Sequence, residues 1–235
     1  MPRRLVSFLL LAVVLAAAFI RLGFWQLSRL SQRRARNAVV SARLAEPMVP
    51  LTTLRSDSSS MLRRASATGV PDYDHEIILA ARSYEGSPGV YLFTPLRVAG
   101  SDTAILVNRG WIYAPDGASV DLKGWREQGT NFVGYAELLP EGGSSSPDGV
   151  LRRDARIARE LNLVTVNSLL PYPVSRVYLV ATAQDTTKPV AERVARLPPP
   201  TLDEGPHLSY AFQWFAFAAI ALIGGATVAV RGRTQ

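Results

Sequence analysis

The sequence predicts an α+β membrane protein, with two transmembrane helices flanking a small, mainly antiparallel β domain that carries one or two short helices. Three observations predict it. Dense apolar runs lie near both ends of the 235 residues, Leu5–Ile20 and Ala211–Val230. The stretch between them breaks into short β-branched and aromatic segments separated by Gly, Pro, Asp and Ser clusters. Charge is also uneven: the chain carries net +7, but residues 37–206 hold 17 basic against 19 acidic residues. The basic excess therefore sits in the flanks, which argues against a nucleic-acid-binding core and for no nucleic-acid partner. The absence of cysteine excludes disulfides, thiolate catalysis, zinc–thiolate sites and Fe–S ligation.

Taken in order, the first run spans about 24 Å as helix, or about 31 Å if it continues to Trp25 with Arg21 snorkelling to the interface. A cleaved secretory signal is the rival reading, with Arg3 and Arg4 as its basic start and Ala16-Ala17-Ala18 as its small-residue site. Either reading sends the next domain across a membrane. No Ser/Arg-rich transit peptide precedes the run, so a bacterial plasma (inner) membrane is expected. Arg21-Leu22-Gly23-Phe24-Trp25-Gln26-Leu27-Ser28-Arg29 reads as an aromatic and basic anchor. The arginines continue to Arg36, as a solvated helix face or a patch for anionic lipid headgroups.

The middle is expected to form strands at Ile77–Ala81, Val90–Phe93, Ala104–Val107, Phe132–Ala136 and Val177–Val180. Turns are expected at Glu85-Gly86-Ser87-Pro88-Gly89 and Ala99-Gly100-Ser101-Asp102. Leu151, Ala155, Ala158 and Leu161 share one side of a helix expected near Leu151–Leu161, after a surface loop at Gly142–Pro147. Leu197-Pro198-Pro199-Pro200 begins a stiff, extended lead into the last segment. That segment, Ala211–Val230, is 20 residues without a charge and spans about 30 Å, the thickness of a bilayer core. Arg231 and Arg233 follow it.

Three segments result: 1–36, a transmembrane helix with a basic interfacial stretch; 37–206, an extracytoplasmic β-rich domain; and 207–235, a second transmembrane helix with a short cytoplasmic tail. Both termini are expected in the cytoplasm. Arg21 to Arg36 run against a naive positive-inside count, but the rule weakens for a connecting stretch this long. Ala12 and Ala16, and Ala221, Gly225 and Ala229, recur at four-residue spacing. They are either ordinary lipid-facing alanines or a surface where the helices pack together or dock on a partner.

The polar inventory is thin for an enzyme, and none is expected. There are two histidines, no Gly-rich phosphate loop, no nucleophile elbow and no two-histidine metal spacing. His75 lies in the acidic stretch Asp72-Tyr73-Asp74-His75-Glu76, read as a solvated turn. His207 sits at the water-side entrance of the second membrane helix, where His207, Tyr210, Ala211 and Trp214 share a face. The imidazole can ligate haem iron axially with the two rings packing on the macrocycle. The same residues also make an ordinary interfacial aromatic belt. In an extended strand Arg109 and Trp111 point to one side, as a carboxylate-pairing guanidinium beside an indole floor or as a core Trp beside an internally paired Arg. Gly110 between them suggests a bulge or a close backbone approach.

These stretches together resemble the Surfeit-locus-one family of cytochrome c oxidase assembly factors. The resemblance is carried by Leu22-Gly23-Phe24-Trp25-Gln26-Leu27-Ser28-Arg29, by Val107-Asn108-Arg109-Gly110-Trp111, and by His207-Leu208-Ser209-Tyr210-Ala211 with Trp214-Phe215. Gly69, Gly89 before Tyr91, Thr94-Pro95-Leu96 and Pro171-Tyr172-Pro173 match more weakly. The sequence departs from the family where Met61-Leu62-Arg63-Arg64 replaces a Tyr-Arg pair, and where Val150-Leu151-Arg152-Arg153-Asp154 stands without the family's Asn-x-Trp-Tyr. The resemblance implies a non-enzymatic chaperone of respiratory-chain biogenesis that transiently binds haem a and hands it to the catalytic subunit at the outer face of the membrane. The implied partners are that subunit, other oxidase assembly or haem a synthesis proteins, and membrane lipids. His207 would be the haem-iron ligand, with Tyr210, Trp214, Arg109 and Trp111 as further contacts. A scaffold that holds an oxidase intermediate without touching haem is the alternative.

Overall fold

The computed structural model describes residues 3–142, 150–184 and 193–231, and the chain divides into two compact units, residues 1–41 with 201–235 and residues 42–200.

The first unit is a helix pair. Helix α1 runs from Arg3 to Ala45, 43 residues and about 65 Å. It contains one glycine and no proline, and the chain leaves it just before Pro47, where a helix cannot readily continue. The last helix, here α3, runs from His207 to Arg231 and starts directly after Pro206. Both helices are long and apolar enough to cross a membrane.

Their contact follows an alternating three- and four-residue rhythm. On α1 the seam is Leu9, Ala12, Ala16, Phe19, Gly23, Gln26 and Leu30; on α3 it is His207, Ala211, Trp214, Ala218, Ala221 and Gly225. That 3.5-residue period keeps one stripe of each helix facing its neighbour. The helices run antiparallel. Phe19 stacks on Trp214 with centroids 5.7 Å apart and meets Phe217 at 5.8 Å. Gly23 lies against the Phe215 ring, and Gly225 against Ala12. So Ala12, Ala16 and Gly225 are buried between helices, as the close-packing reading of the small residues requires, while Ala221 and Ala229 are half-buried. Further along α1, the segment before α3 is tied down by side chains. Arg34 makes a two-pronged ion pair with Glu204 (2.7 and 2.8 Å), Arg33 donates to the Asp203 carbonyl (3.1 Å), and Asn37 donates to the Leu202 and Asp203 carbonyls.

The second unit is a mixed sheet. Its strands are β1 (Val49–Pro50), β2 (Arg64–Thr68), β3 (Val70–Pro71), β4 (Ile77–Tyr84), β5 (Ser87–Arg97), β6 (Ile105–Tyr113), β7 (Asn131–Leu138), β8 (Val150–Arg152), β9 (Ile157–Ala158) and β10 (Val177–Ala181). The order is β1-β2-β7-β10-β6-β5-β4-β9-β8, with β3 pairing β5. Pairing is mainly antiparallel; β1/β2, β10/β6 and β4/β9 are parallel. All five strands expected from the sequence are present. Of the turn expected at Glu85–Gly89, only Glu85-Gly86 turns, closing the β4–β5 hairpin with both residues at positive φ, while Ser87–Gly89 already pair with β4 as the start of β5. Three apolar clusters form the core, centred on Leu96, Val107 and Leu179; on Phe93, Leu106 and Val166; and on Val90, Leu92 and Ile112.

The helix expected over Leu151–Leu161 does not form. Val150–Arg152 and Ile157–Ala158 are strands joined by a turn that ends with Arg156 at φ +50°, and Ile157 and Ala158 are buried in parallel pairing with Ile78 and Leu79. Sheet pairing consumed residues whose helical spacing was fortuitous. The helix instead begins after them, as α2 (Leu163–Leu169), where the Asn162 side chain accepts the Thr165 N–H at 2.8 Å. The expected loop at Gly142–Pro147 lies, after Gly142, outside the described residues.

Candidate functional site

In β6 the anticipated bulge is present and alters the expected geometry. Gly110 opposes Leu92 and Asn108 opposes Phe93, so Arg109 is the extra residue. Gly110 has φ +123°, and a Cβ there would lie 2.1 Å from the Ala195 carbonyl oxygen, so no other residue fits. Trp111 exchanges two backbone hydrogen bonds with Ala195, at 2.8 and 2.9 Å. The inserted residue resets the alternation of faces. Arg109 and Trp111 therefore do not share a side, as an uninterrupted strand would have required.

Arg109 has 0% of its surface exposed. Its guanidinium donates to Thr94 Oγ1 (2.7 Å), Glu76 Oε1 (2.5 Å), the Trp125 carbonyl (2.5 Å) and Glu127 Oε1 (3.3 Å). Arg196 closes the cluster, donating to Glu127 Oε2 (2.7 Å) and to the Arg109 carbonyl. Two arginines thus face two glutamates, and removing one member of such a buried set costs about 3–5 kcal/mol because the remaining charge loses its compensation. In this arrangement the donors of Arg109 are committed within the β domain. Trp111 lies between Tyr84 (5.7 Å) and Tyr113 (6.4 Å), and its buried Nε1 has no hydrogen-bond partner among the described residues.

The acidic stretch around His75 is only partly solvated: Asp74 is exposed, Asp72, Tyr73 and His75 are half-buried, and Glu76 is fully buried. Asp72 receives the Tyr172 hydroxyl at 2.6 Å and lies 2.8 Å from His75 Nδ1, Asp74 pairs with Arg126, and Glu76 is fully buried on Arg109. Burial pushes the Asp72 carboxyl up, but the bonds from Tyr172 and His75 outweigh it and hold the group below its ordinary range. Burial and Asp72 together push the Tyr172 hydroxyl well up. Among the described residues no group of three or more His, Asp or Glu is placed to hold a metal ion.

The entrance of α3 is a different kind of place. His207 is half-buried, and its Nδ1–H donates to Gln26 Oε1 at 2.9 Å. The amide oxygen can only accept, so in the neutral ring this contact places the proton on Nδ1 and the lone pair on Nε2. Among the described residues Nε2 has no hydrogen-bond partner. Gly205, at φ +67°, lies beside this edge of the ring: a Cβ there would stand 3.5 Å from Cδ2 and 3.6 Å from Nε2, ordinary contact distances. The ring borders a groove of about 250 Å³ lined by Arg29, Gln32, Arg33, Arg36 and His207. Next along α1, Arg21, Leu22, Phe24 and Trp25 line an apolar recess of about 590 Å³. Trp214 is held by Phe19 and Phe217 one layer deeper in the seam, whereas Tyr210 is largely exposed.

An imidazole whose Nδ1–H is held by an acceptor presents Nε2 in a fixed direction, as in ligands that hold metal ions. Guanidinium groups beside it suit carboxylates. That donor set fits an iron porphyrin bearing acid groups. Sequence reasoning did not connect Gln26, Arg29 and Arg36 with His207, because they lie some 180 residues away. The available signal was the 3.5-residue rhythm of Phe19, Gly23, Gln26 and Leu30, which marks Gln26 as facing a neighbouring helix.

The SURF1 family model matches residues 13–219, from within α1 to within α3. An uncharacterized SURF1-like protein of Mycobacterium tuberculosis is 28% identical over 227 residues, covering 93% of this chain and 82% of its own length. SURF1-like proteins of Rickettsia bellii (22% over 204 residues; 87% and 83%) and Monosiga brevicollis (27% over 216 residues; 86% and 79%) are also similar.

Proposed function

The chain belongs to the SURF1 family, and from that premise we propose that it is an assembly factor for cytochrome c oxidase that accepts haem a at His207 and passes it to the catalytic subunit. It works without catalysing a reaction. It is held in a bacterial plasma membrane by α1 and α3, with both termini in the cytoplasm and the β domain outside.

The observation that carries this reading is the His207–Gln26 pair. It orients an imidazole whose Nε2 is free to coordinate, at the end of a helix long and apolar enough to span a bilayer. A single axial bond suits cargo that must leave again, since the other axial position stays exchangeable. The two helices, packed through Phe19, Gly23, Trp214 and Phe215, hold the ring and the amide in register.

The test is a visible absorption spectrum of the detergent-purified protein co-expressed with haem a synthesis. The wild type is expected to carry Soret and α bands that His207→Ala loses and that Gln26→Leu weakens, to about a tenth of the wild-type occupancy when haem is limiting. A colourless wild type that still co-purifies oxidase subunits would replace this reading with that of a scaffold.

A further inference from the structure

We infer that Arg29 and Arg36 form an anion seat in the groove bordered by His207, and that the anion they take is the pair of propionate carboxylates on the haem. The inference rests on the haem reading above and adds the groups that bind the acid edge of the macrocycle.

The arginines of α1 sort into two kinds. Arg34 is spent on Glu204, and Arg33 on Asp203. Arg29 makes only one hydrogen bond, to Gln32 Oε1 at 3.1 Å, and has no carboxylate partner among the described residues. Arg36 has no ion pair or hydrogen bond among them. Among the described residues, two exposed guanidinium groups on one groove thus lack a counter-charge, and a fixed field of this kind attracts an anion.

Their positions also match the shape of the proposed cargo. Trp25, Arg29, Gln32 and Arg36 follow one another at four, three and four residues, so they lie along one stripe of α1. This stripe runs beside the seam position Gln26, which holds His207. Arg29 and Arg36 are two turns apart, about 10 Å along the axis. The stripe is aromatic at the end nearest the apolar span and cationic beyond it. A haem has the same polarity: an apolar body, an iron at its centre, and two carboxylates on one edge. An anionic lipid headgroup shares the charge but has no use for an imidazole lone pair in the same groove.

The test uses the full chain in discs of zwitterionic lipid, titrated with haemin or with haemin dimethyl ester, whose carboxylates are capped, and read by the Soret band. The paired substitution Arg29→Gln with Arg36→Gln is expected to weaken haemin binding by about 10- to 100-fold. It should leave the Soret position unchanged and bind the dimethyl ester as the wild type does. If that variant binds haemin like the wild type while His207→Ala loses the band, the anion seat is wrong and the haem reading stands. If the wild type itself gives no shifted Soret band, both fall. The titration is repeated in discs containing phosphatidylglycerol. A difference between variant and wild type that appears only there would identify a lipid phosphate as the ligand and overturn the propionate assignment.

Discussion

Asp72 is a carboxylate whose hydrogen bonds beat its burial, and the consequence is a pH dependence of defined sign. Its folded-state pKa lies below the unfolded value of about 3.9. A depressed acid contributes stability that is present above the unfolded value and is lost as pH falls through the folded one. Asp72→Asn is therefore expected to unfold more easily at pH 7, by about 1–2 kcal/mol, and to lose less stability than the wild type below pH 4. Urea titrations followed by tryptophan fluorescence at both pH values check this. If the two proteins lost stability in parallel on acidification, Asp72 would not be the titrating group. Single residues were unevenly legible in the sequence. His207 stood out through its place between a Gly-Pro turn and an apolar run. Arg109 was visible as a residue but not in its surroundings: a strand pattern cannot show that one inserted residue turns the side chain toward Glu76 and Glu127.

Among the elements, the α1–α3 seam is set by small residues. A Cβ on Gly225 would stand 3.3 Å from that of Ala12, and one on Gly23 only 2.5 Å from the Phe215 ring. The first separation is close to what a disulfide needs. Since the chain contains no cysteine, Ala12→Cys with Gly225→Cys should cross-link on oxidation, read as a band shift reversed by reductant. Adding Gly23→Leu should slow that cross-link several-fold by wedging the helices apart. An unchanged rate would mean that the seam does not close at Gly23. The apolar runs and the five central strands were legible because hydrophobic length and β-branched clustering are local signals. The strand Arg64–Thr68 was not, because its residues are small or polar and earn their place only by pairing with β7. The helix lies about ten residues later than its spacing predicts, because amphipathic spacing in so short a stretch cannot be told from a hairpin whose apolar residues face a sheet.

For the whole molecule, charge and hydrophobicity agree on a layout: apolar helices, arginines just beyond them, and a β domain with nearly balanced charge. With no native cysteine, topology can be read directly in cells. Ser119→Cys is expected to react with a membrane-impermeant maleimide from outside, and a C-terminal alkaline phosphatase fusion is expected to be inactive. The reverse pattern would invert the proposed orientation. In the proposed hand-over the haem has to leave again, and Gln26 bears on that step. A carboxylate in its place would draw the Nδ1 proton and make the imidazole a stronger donor to iron. The neutral amide aims the ring without that reinforcement. On the proposed haem reading, this hydrogen bond sets residence time as well as direction.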